Sequence, residues 1–114
     1  MAAEEDLLRE QDGNKRLCEL VDGVLVEKPL ATYESRLAFV LAAMLETFLY
    51  ETGLGIGLGE AGFLRLAFGL VRAPDVSFIS WERFPGRKRP PDRIFRVAPD
   101  LAVEILSRPT PSER

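Results

Sequence analysis

The chain contains no histidine, a single cysteine and no apolar run long enough to span a membrane. The absence of histidine excludes histidine-based metal sites and the histidine-dependent forms of nucleophilic catalysis. One cysteine, Cys18, excludes an intrachain disulfide, and its apolar neighbours favour a small buried hydrophobe over a nucleophile. Any chemistry must therefore come from carboxylates, Lys, Arg, hydroxyls or backbone groups. Because oxygen ligands suit hard cations, Mg²⁺ or Mn²⁺ is favoured over Zn²⁺.

The length and composition predict one globular domain. The 114 residues suffice for a single domain over 1–114, with an N-terminal lead over 1–14 and an irregular tail over 107–114. A hydrophobic content of 46% and a charged content of 29% are typical of a globular core under a polar surface. The acidic start is unlike a signal peptide. We therefore expect a cytoplasmic protein that does not contact the membrane.

The clearest predicted element is an amphipathic helix from Tyr33 to Thr52, capped by Thr32 at its start and ended by Gly53. Its apolar residues repeat at i, i+3, i+4 and i+7, as expected for a helix that packs one face on a sheet. The stripe consists of Leu37, Val40, Leu41, Met44, Leu45, Phe48 and Leu49. A Tyr33–Thr52 helix packed through this stripe is therefore our expectation.

Short strands surround this helix. Asp22-Gly23 predicts a hairpin within residues 17–26, because Asp-Gly suits a tight two-residue turn. The glycine-rich stretch Gly53–Gly62 follows a helix and precedes a strand, which favours a flexible connection or bulged strand over a phosphate-binding loop. Further strands are predicted over 63–67, 70–79 and 101–106. The order of hairpin, helix, hairpin and strand predicts an α/β or α+β layer fold.

Two acids stand in apolar strand surroundings: Asp75 in the segment 72–79 and Glu104 in the segment 99–106. Burial of an ionised carboxylate is costly unless a positive charge lies against it. One cation shared by neighbouring strands would satisfy both acids, so Asp75 and Glu104 are candidate metal ligands. An internal ion pair of Glu104 with an arginine such as Arg65 or Arg72 is the alternative, and the sequence leaves both open.

Two other acids follow proline and are interpreted as structural. Asp92 lies among proline and basic residues and is expected in a turn, and Asp100 precedes a strand as a solvated boundary residue. Neither is expected to bind a metal.

The net charge of −3 is unevenly distributed. Residues 81–96 carry +4, which leaves −7 on the rest of the chain. Such a basic run is usually a solvated surface. The run is a stronger candidate for a functional surface here, because it connects the two acid-bearing strands. The basic residues are Arg83, Arg87, Lys88, Arg89, Arg93 and Arg96.

Four motifs in order resemble those of the Uma-type restriction endonucleases, a family of the PD-(D/E)xK nuclease superfamily. They are Glu-Leu-Val-Asp-Gly at 19–23, Tyr-Glu-Ser-Arg-Leu-Ala at 33–38, and the two acid-bearing segments at 71–80 and 98–107. The resemblance spans residues 19–107, most of the chain. The two strand motifs together carry most of its specificity.

The resemblance implies a restriction-endonuclease-like core, in which a mixed β-sheet is flanked by helices and is C-terminally incomplete in this chain. It implies that Asp75 and Glu104 bind Mg²⁺ or Mn²⁺ and that Glu34, on the first core helix, supports the catalytic site. The implied reaction is phosphodiester hydrolysis in double-stranded DNA. Phosphate contacts are expected from the basic loop, through Arg83, Arg87, Lys88 and Arg89.

The sequence departs from the superfamily pattern because the expected lysine is missing from its position. The position two residues after Glu104 is Leu106, and in the Uma-type family the lysine lies on the following helix, which we expect to be absent here. Lys88 is in the wrong part of the fold to substitute. Three explanations stay open: a truncated product, a lysine from another chain, or a protein that no longer cuts.

The missing lysine leads to two expectations about function. As an endonuclease or a remnant of one, the chain is expected to cleave DNA poorly or not at all, because the expected lysine stabilises charge on the phosphate. The alternative is a non-catalytic nuclease-fold binding or assembly domain. In that case an open sheet edge after Leu101–Leu106 would pair with another chain and form a homodimer.

Overall fold

The computed structural model describes residues 1–29 and 31–106, which form two α-helices and two β-sheets. The helices are α1 (Glu4–Gly13) and α2 (Thr32–Thr52). The strands are β1 (Cys18–Val21), β2 (Val24–Glu27), β3 (Gly55–Leu58), β4 (Phe63–Ala67), β5 (Leu70–Arg72), β6 (Val76–Ser80), β7 (Ile94–Phe95) and β8 (Leu101–Val103). The predicted α+β class is confirmed. The predicted irregular tail over 107–114 lies outside the described residues.

The first sheet has five strands in the order β2-β1-β5-β4-β7. Its neighbours are antiparallel except β4 and β7, which are parallel, so the sheet is mixed. The predicted hairpin is present as β1 and β2. Asp22 and Gly23 between them both have positive φ (52° and 76°), as a tight primed turn requires. The hairpin forms one edge of the sheet, and Lys28 follows its second strand directly.

Helix α1 packs on this first sheet through Leu7, which is fully buried. Cys18 of β1 lies in the same core, and burial raises the pKa of its thiol. A thiolate is therefore disfavoured, which agrees with the interpretation of Cys18 as a packed hydrophobe. The other buried members of this core are Leu20, Phe63, Val71, Ala73 and Ile94.

The second sheet has three antiparallel strands in the order β3-β6-β8. A separate apolar cluster joins it to the first sheet: Ile79 of β6 packs with Leu64 of β4 and Phe95 of β7. Phe84 completes the cluster and meets Phe95 edge-on at a centroid distance of 5.3 Å. The glycine-rich segment supplies β3, where a side chain on Gly55 would collide with the Ile79 carbonyl.

The prediction of a single strand over 70–79 is wrong in one respect. The segment forms two strands, and these belong to different sheets. Strand β5 ends at Arg72 and β6 begins at Val76, and residues 73–75 pass from one sheet to the other. Pro74 has no N–H to donate to a ladder, and the Ala73 N–H bonds the side chain of Glu19 instead. This break is what places Asp75 between the sheets.

Helix α2 has nearly the predicted bounds, but its packed face differs from the predicted stripe. Ala31 occupies the N-cap position, so Thr32 is the first helical residue and the prediction of a Thr32 cap is wrong. Gly53 ends the helix with φ of 67°, as predicted. The face toward the sheet holds residues at spacings of three and four: Glu34, Ala38, Ala42, Leu45 and Leu49.

The remainder of the predicted stripe is on the outer side of α2. The exposed members are Leu37, Val40, Leu41, Met44 and Phe48. The helix is apolar around much of its circumference, so periodicity alone could not select the face that packs. Neither helix in the described part of the chain combines the length and apolar character needed to cross a membrane.

Candidate active site

The two predicted acids lie at the same end of one strand pair. Val76 pairs with Val103 where β6 runs antiparallel to β8. Asp75 precedes β6 and Glu104 follows β8, so the same register places the two residues opposite each other. The structure therefore brings together the carboxylates that the sequence places 29 positions apart.

The cation between these carboxylates is the ammonium group of Lys28. Its Nζ lies 3.4 Å from Asp75 Oδ1 and 3.1 Å and 3.3 Å from the two carboxylate oxygens of Glu104. It also donates to the carbonyl oxygen of Ala73 at 2.6 Å. The Lys28 side chain is only 14% exposed and that of Asp75 only 5%. The acids thus share a cation, and it is a lysine.

The arginines proposed as alternative partners of Glu104 are engaged elsewhere. Arg65 pairs with Glu4 at 3.3 Å and Arg72 pairs with Glu19 at 3.2 Å. Glu104 therefore does form an ion pair, but its partner is a lysine that the sequence reasoning did not select, and the Glu104 side chain is 53% exposed, so the pair is not internal. Lys28 directly follows the β2 strand, distant in sequence from both acids, and no local pattern relates the three residues.

The orientation of Asp75 is fixed by the main chain. Its Oδ2 accepts a hydrogen bond from the Ile105 N–H at 2.7 Å, which directs Oδ1 toward Lys28. Because Ile105 adjoins Glu104, this bond also ties the end of β8 to the start of β6. The main chain around the two acids is therefore connected directly.

Glu19 is a further acid at this site, and sequence reasoning did not propose it as a functional residue. It is buried in β1, where its Oε2 accepts from the Ala73 N–H at 2.8 Å and lies 4.0 Å from Lys28 Nζ. Its other oxygen accepts from Arg72 at 3.2 Å. A glutamate between Cys18 and Leu20 in an apolar strand was the available signal.

Glu34, the third predicted site residue, is buried in the first turn of α2. It forms no ion pair with Lys28 within residues 1–29 and 31–106. Across those same residues, no group of three or more carboxylate or thiol side chains converges tightly enough to hold a metal ion. The supporting role of Glu34 stays a prediction, and the close acidic pair is Asp75 with Glu104.

Two adjoining clefts give access to the site. Asp75 lines a cleft of about 270 Å³ together with Ser35 of α2 and Glu60 of the turn before β4. Lys28 lines a second cleft of about 310 Å³ that also borders Glu60. Asp75 and Lys28 are thus reached from solvent on neighbouring sides.

The donor set at the acidic pair suits a hard cation. Asp75 Oδ1 and both Glu104 oxygens already lie within 3.4 Å of one positively charged atom. All are carboxylate oxygens, the ligands that Mg²⁺ and Mn²⁺ prefer in proteins. The residues present therefore fit the metal that the sequence resemblance implies.

The basic residues after β6 fall into two groups. Arg83 pairs with Asp100 at 2.8 Å, Arg93 with Asp12 at 2.7 Å and Arg96 with Glu4 at 3.8 Å. By contrast, Arg87, Lys88 and Arg89 are exposed and form no ion pair with any described residue. These three provide the unpaired positive charge of the loop.

Asp100 is a structural acid, in keeping with its position at a strand boundary. A hydrogen bond from the Ser80 N–H and the nearby Arg83 guanidinium hold the pKa of its carboxyl below the usual 3.8. It joins the end of β6 to the start of β8. Asp92 is exposed, as its turn interpretation predicts.

The fold is similar to that of a solved nuclease-family structure. A crystal structure described as "a putative nuclease belonging to DUF820" from Anabaena variabilis matches with a TM-score of 0.68 and 22% identity. The match covers 82% of this chain and 52% of that one, so the chain spans about half the length of the solved structure. The architecture is therefore that of the nuclease-fold proteins.

Residues 3–114 match the family model described as "Uma2: Putative restriction endonuclease". Because the match extends over nearly the whole chain, the protein belongs to this family. The resemblance inferred from the four sequence motifs is confirmed. A comparison with curated protein sequences gives no significant match.

Proposed function

We propose that this protein is a divalent-cation-dependent endonuclease that hydrolyses phosphodiester bonds in double-stranded DNA. The observation that carries the proposal is the convergence of Asp75 and Glu104 on one cationic atom at the end of the β6–β8 pair. Two carboxylates held this close favour a cation between them, because the unscreened pair would repel. Membership of the Uma2 family, described as "Putative restriction endonuclease", supports the same proposal.

Asp75 and Glu104 would hold Mg²⁺ or Mn²⁺ through the carboxylate oxygens that now face Lys28. A divalent cation held by these two residues would polarise a phosphodiester and lower the pKa of the attacking water. In the reaction the water oxygen would bond to phosphorus and lose a proton, the ester P–O bond would break, and the departing oxygen would receive a proton. The Ile105 N–H contributes by keeping Asp75 oriented toward the cation position.

The substrate contact is assigned to the loop between β6 and β7. Arg87, Lys88 and Arg89 are exposed and unpaired among the described residues, so their charges are free to meet backbone phosphates. Arg83 precedes them but is held by Asp100, which leaves it a lesser role. Contacts of this kind give affinity that weakens with salt and does not depend on base sequence.

The proposal is tested by incubating supercoiled plasmid with the purified chain and Mn²⁺. We expect slow nicking that is lost in Asp75→Ala and in Glu104→Ala, together with a loss of Mn²⁺ binding measured by calorimetry. Asp92→Asn, which changes an exposed turn acid, should nick like the parent chain. A parent chain that neither binds Mn²⁺ nor nicks would overturn the proposal. Nicking that persists in both alanine variants would do so as well.

A second candidate function, an assembly domain without catalysis, is favoured by one feature. The outer side of α2 exposes a row of large apolar residues, and β8 has a hydrogen-bonded neighbour on one side only in the described part of the sheet. A second copy of the chain could cover both. Exposed apolar patches of this kind commonly mark protein interfaces.

A further inference from the structure

We propose that Glu60, in the turn between β3 and β4, is the catalytic residue that accepts the proton of the attacking water. The inference rests on the proposed endonuclease function, in which Asp75 and Glu104 hold the cation and the proton acceptor is not assigned. Glu60 follows the glycine-rich strand β3 and belongs to none of the four sequence motifs. Its place in the site follows from how β3 pairs with β6.

The register of the second sheet brings Glu60 level with Asp75. Strands β3 and β6 are antiparallel, and Leu58 at the end of β3 pairs with Ser77. Continued by two residues, this register sets Glu60 beside Asp75 on one side of β6. The pairing of β6 with β8 sets Glu104 beside Asp75 on the other side. Asp75 is therefore the middle acid of three at this end of the sheet.

The turn that carries Glu60 is closed by its own backbone. The Gly62 N–H donates to the Gly59 carbonyl at 3.1 Å, which makes residues 59–62 a β-turn with Glu60 at its second position. A side chain on Gly62 would lie 2.6 Å from Leu58 Cβ, so this close approach requires glycine. The turn therefore sets the point from which the Glu60 side chain projects.

Glu60 borders both clefts of the site and is the unpaired acid of their lining. It shares one cleft with Asp75 and the other with Lys28. Glu27 also lines the second cleft, but it pairs with Arg16, and Asp75 pairs with Lys28. Glu60 is exposed and forms no ion pair within the part of the chain that the structure describes. Its carboxylate is therefore free to accept a proton from a molecule in either cleft.

The chemistry assigned to Glu60 is general base catalysis. As the water oxygen bonds to phosphorus, its proton passes to the Glu60 carboxylate. The ester P–O bond breaks, the departing oxygen takes a proton from solvent, and Glu60 returns its own proton to solvent. Asp75 is less suited to this step, because its two oxygens are engaged by Lys28 and by the Ile105 N–H. Proton transfer to a positioned side chain typically contributes about 10²–10⁴-fold to a rate.

The test compares Glu60→Gln with Glu51→Gln, which removes an exposed carboxylate from the last turn of α2. Plasmid nicking with Mn²⁺ should fall at least about 10²-fold in Glu60→Gln and stay unchanged in Glu51→Gln. Mn²⁺ binding by calorimetry and the urea midpoint should match the parent in both variants, because Glu60 is exposed and is not assigned to the cation. Asp75→Ala, by contrast, is expected to lose Mn²⁺ binding together with nicking.

Glu60→Ala adds a measurement that a structural role would not affect. The substitution leaves space for a small carboxylate, and formate in solution can then accept the proton in place of Glu60. We expect formate to raise the nicking rate of Glu60→Ala at least about tenfold. The same formate concentration should not raise the rate of the parent chain or of Asp75→Ala.

The outcomes separate the role of Glu60 from the function itself. Nicking of Glu60→Gln and Glu60→Ala at the parent rate would overturn the role of Glu60 and leave the endonuclease intact. Loss of Mn²⁺ binding or of stability in both variants, or no rescue by formate, would overturn that role as well. A parent chain that neither nicks nor binds Mn²⁺ would instead remove the endonuclease function, and the role of Glu60 with it.

Discussion

Main-chain N–H groups fix the buried carboxylates at the site. The Ala73 N–H donates to Glu19 and the Ile105 N–H donates to Asp75, each within 2.8 Å. Both acids also lie within 4.0 Å of Lys28 Nζ. Charged groups that are paired in this way offset their own desolvation, and each becomes costly if its partner is removed. The carboxylates of Glu19 and Asp75 are consequently held in fixed orientations, and the removal of any charged partner destabilises the site.

At the scale of single residues, Glu19 provides a prediction. Glu19→Ala leaves the buried Ala73 N–H without an acceptor and weakens the hold on Lys28 and Arg72. We expect the free energy of unfolding to fall by about 1–3 kcal/mol in a urea titration, the typical cost of an orphaned buried donor.

Glu27→Ala is the matched control on the same hairpin. Glu27 is exposed and pairs with Arg16 at the surface, and an exposed pair of this kind contributes little to stability. Equal losses from the two variants would contradict the structural role of Glu19. Retention of stability in Glu19→Gln, which keeps an acceptor oxygen for Ala73, would support it.

At the scale of the element, the break between β5 and β6 is the decisive feature. The apolar run that continues through both strands predicted a single strand, yet its halves pair with different neighbours. Pro74 and the bond from Ala73 to Glu19 end the first ladder just before Asp75. Asp75 therefore lies at a junction between sheets, where its carboxylate reaches Lys28 and its backbone leads into β6.

Helix α2 provides the prediction for this scale. Leu49 is 3% exposed and faces the sheet, whereas Leu41 is 40% exposed. Leu49→Ala should lower the free energy of unfolding by about 2–5 kcal/mol, the usual cost of truncating a buried leucine. Leu41→Ala, at an exposed position of the same helix, should cost less than about 1 kcal/mol. The melts are run at protein concentrations at which the chain is monomeric, and a loss for Leu41→Ala as large as that for Leu49→Ala would contradict this packing of α2.

At the scale of the whole molecule, the apolar outer side of α2 suggests how copies of the chain meet. Met44 and Phe48 are both at least half exposed on this helix. We expect the chain to dimerise in sedimentation equilibrium, because burial of this surface removes apolar area from water. Met44→Glu should raise the dissociation constant at least tenfold, equivalent to about 1.4 kcal/mol.

Phe68→Glu is the control for this experiment. Phe68 is equally apolar and more exposed, but it lies in the turn between β4 and β5, away from α2. Its substitution should leave the dissociation constant unchanged. A parent chain that stays monomeric at high concentration, or a Phe68→Glu effect as large as that of Met44→Glu, would contradict assembly through α2.

The sequence by itself determined the local features of this protein. The Asp22-Gly23 hairpin, a helix ending at Gly53 and the strand character around Asp75 and Glu104 follow from turn chemistry, periodicity and apolar runs, which act between near neighbours. The same local patterns, read in order, were sufficient to indicate the family. The cost of burying a lone acid selected Asp75 and Glu104 as residues that need a cation, but the structure buries only Asp75 and leaves the Glu104 side chain 53% exposed.

Tertiary structure alone decided which cation Asp75 and Glu104 contact and which surfaces are buried. Lys28 reaches Asp75 and Glu104 because sheet pairing places the hairpin beside the end of β6 and β8, across 47 and 76 positions of chain. No local rule encodes contacts at such separations. The choice of packed face on α2 is of the same kind, since a helix apolar on several sides takes its orientation from the sheet it meets. Local propensity set the elements here, and long-range packing set the site.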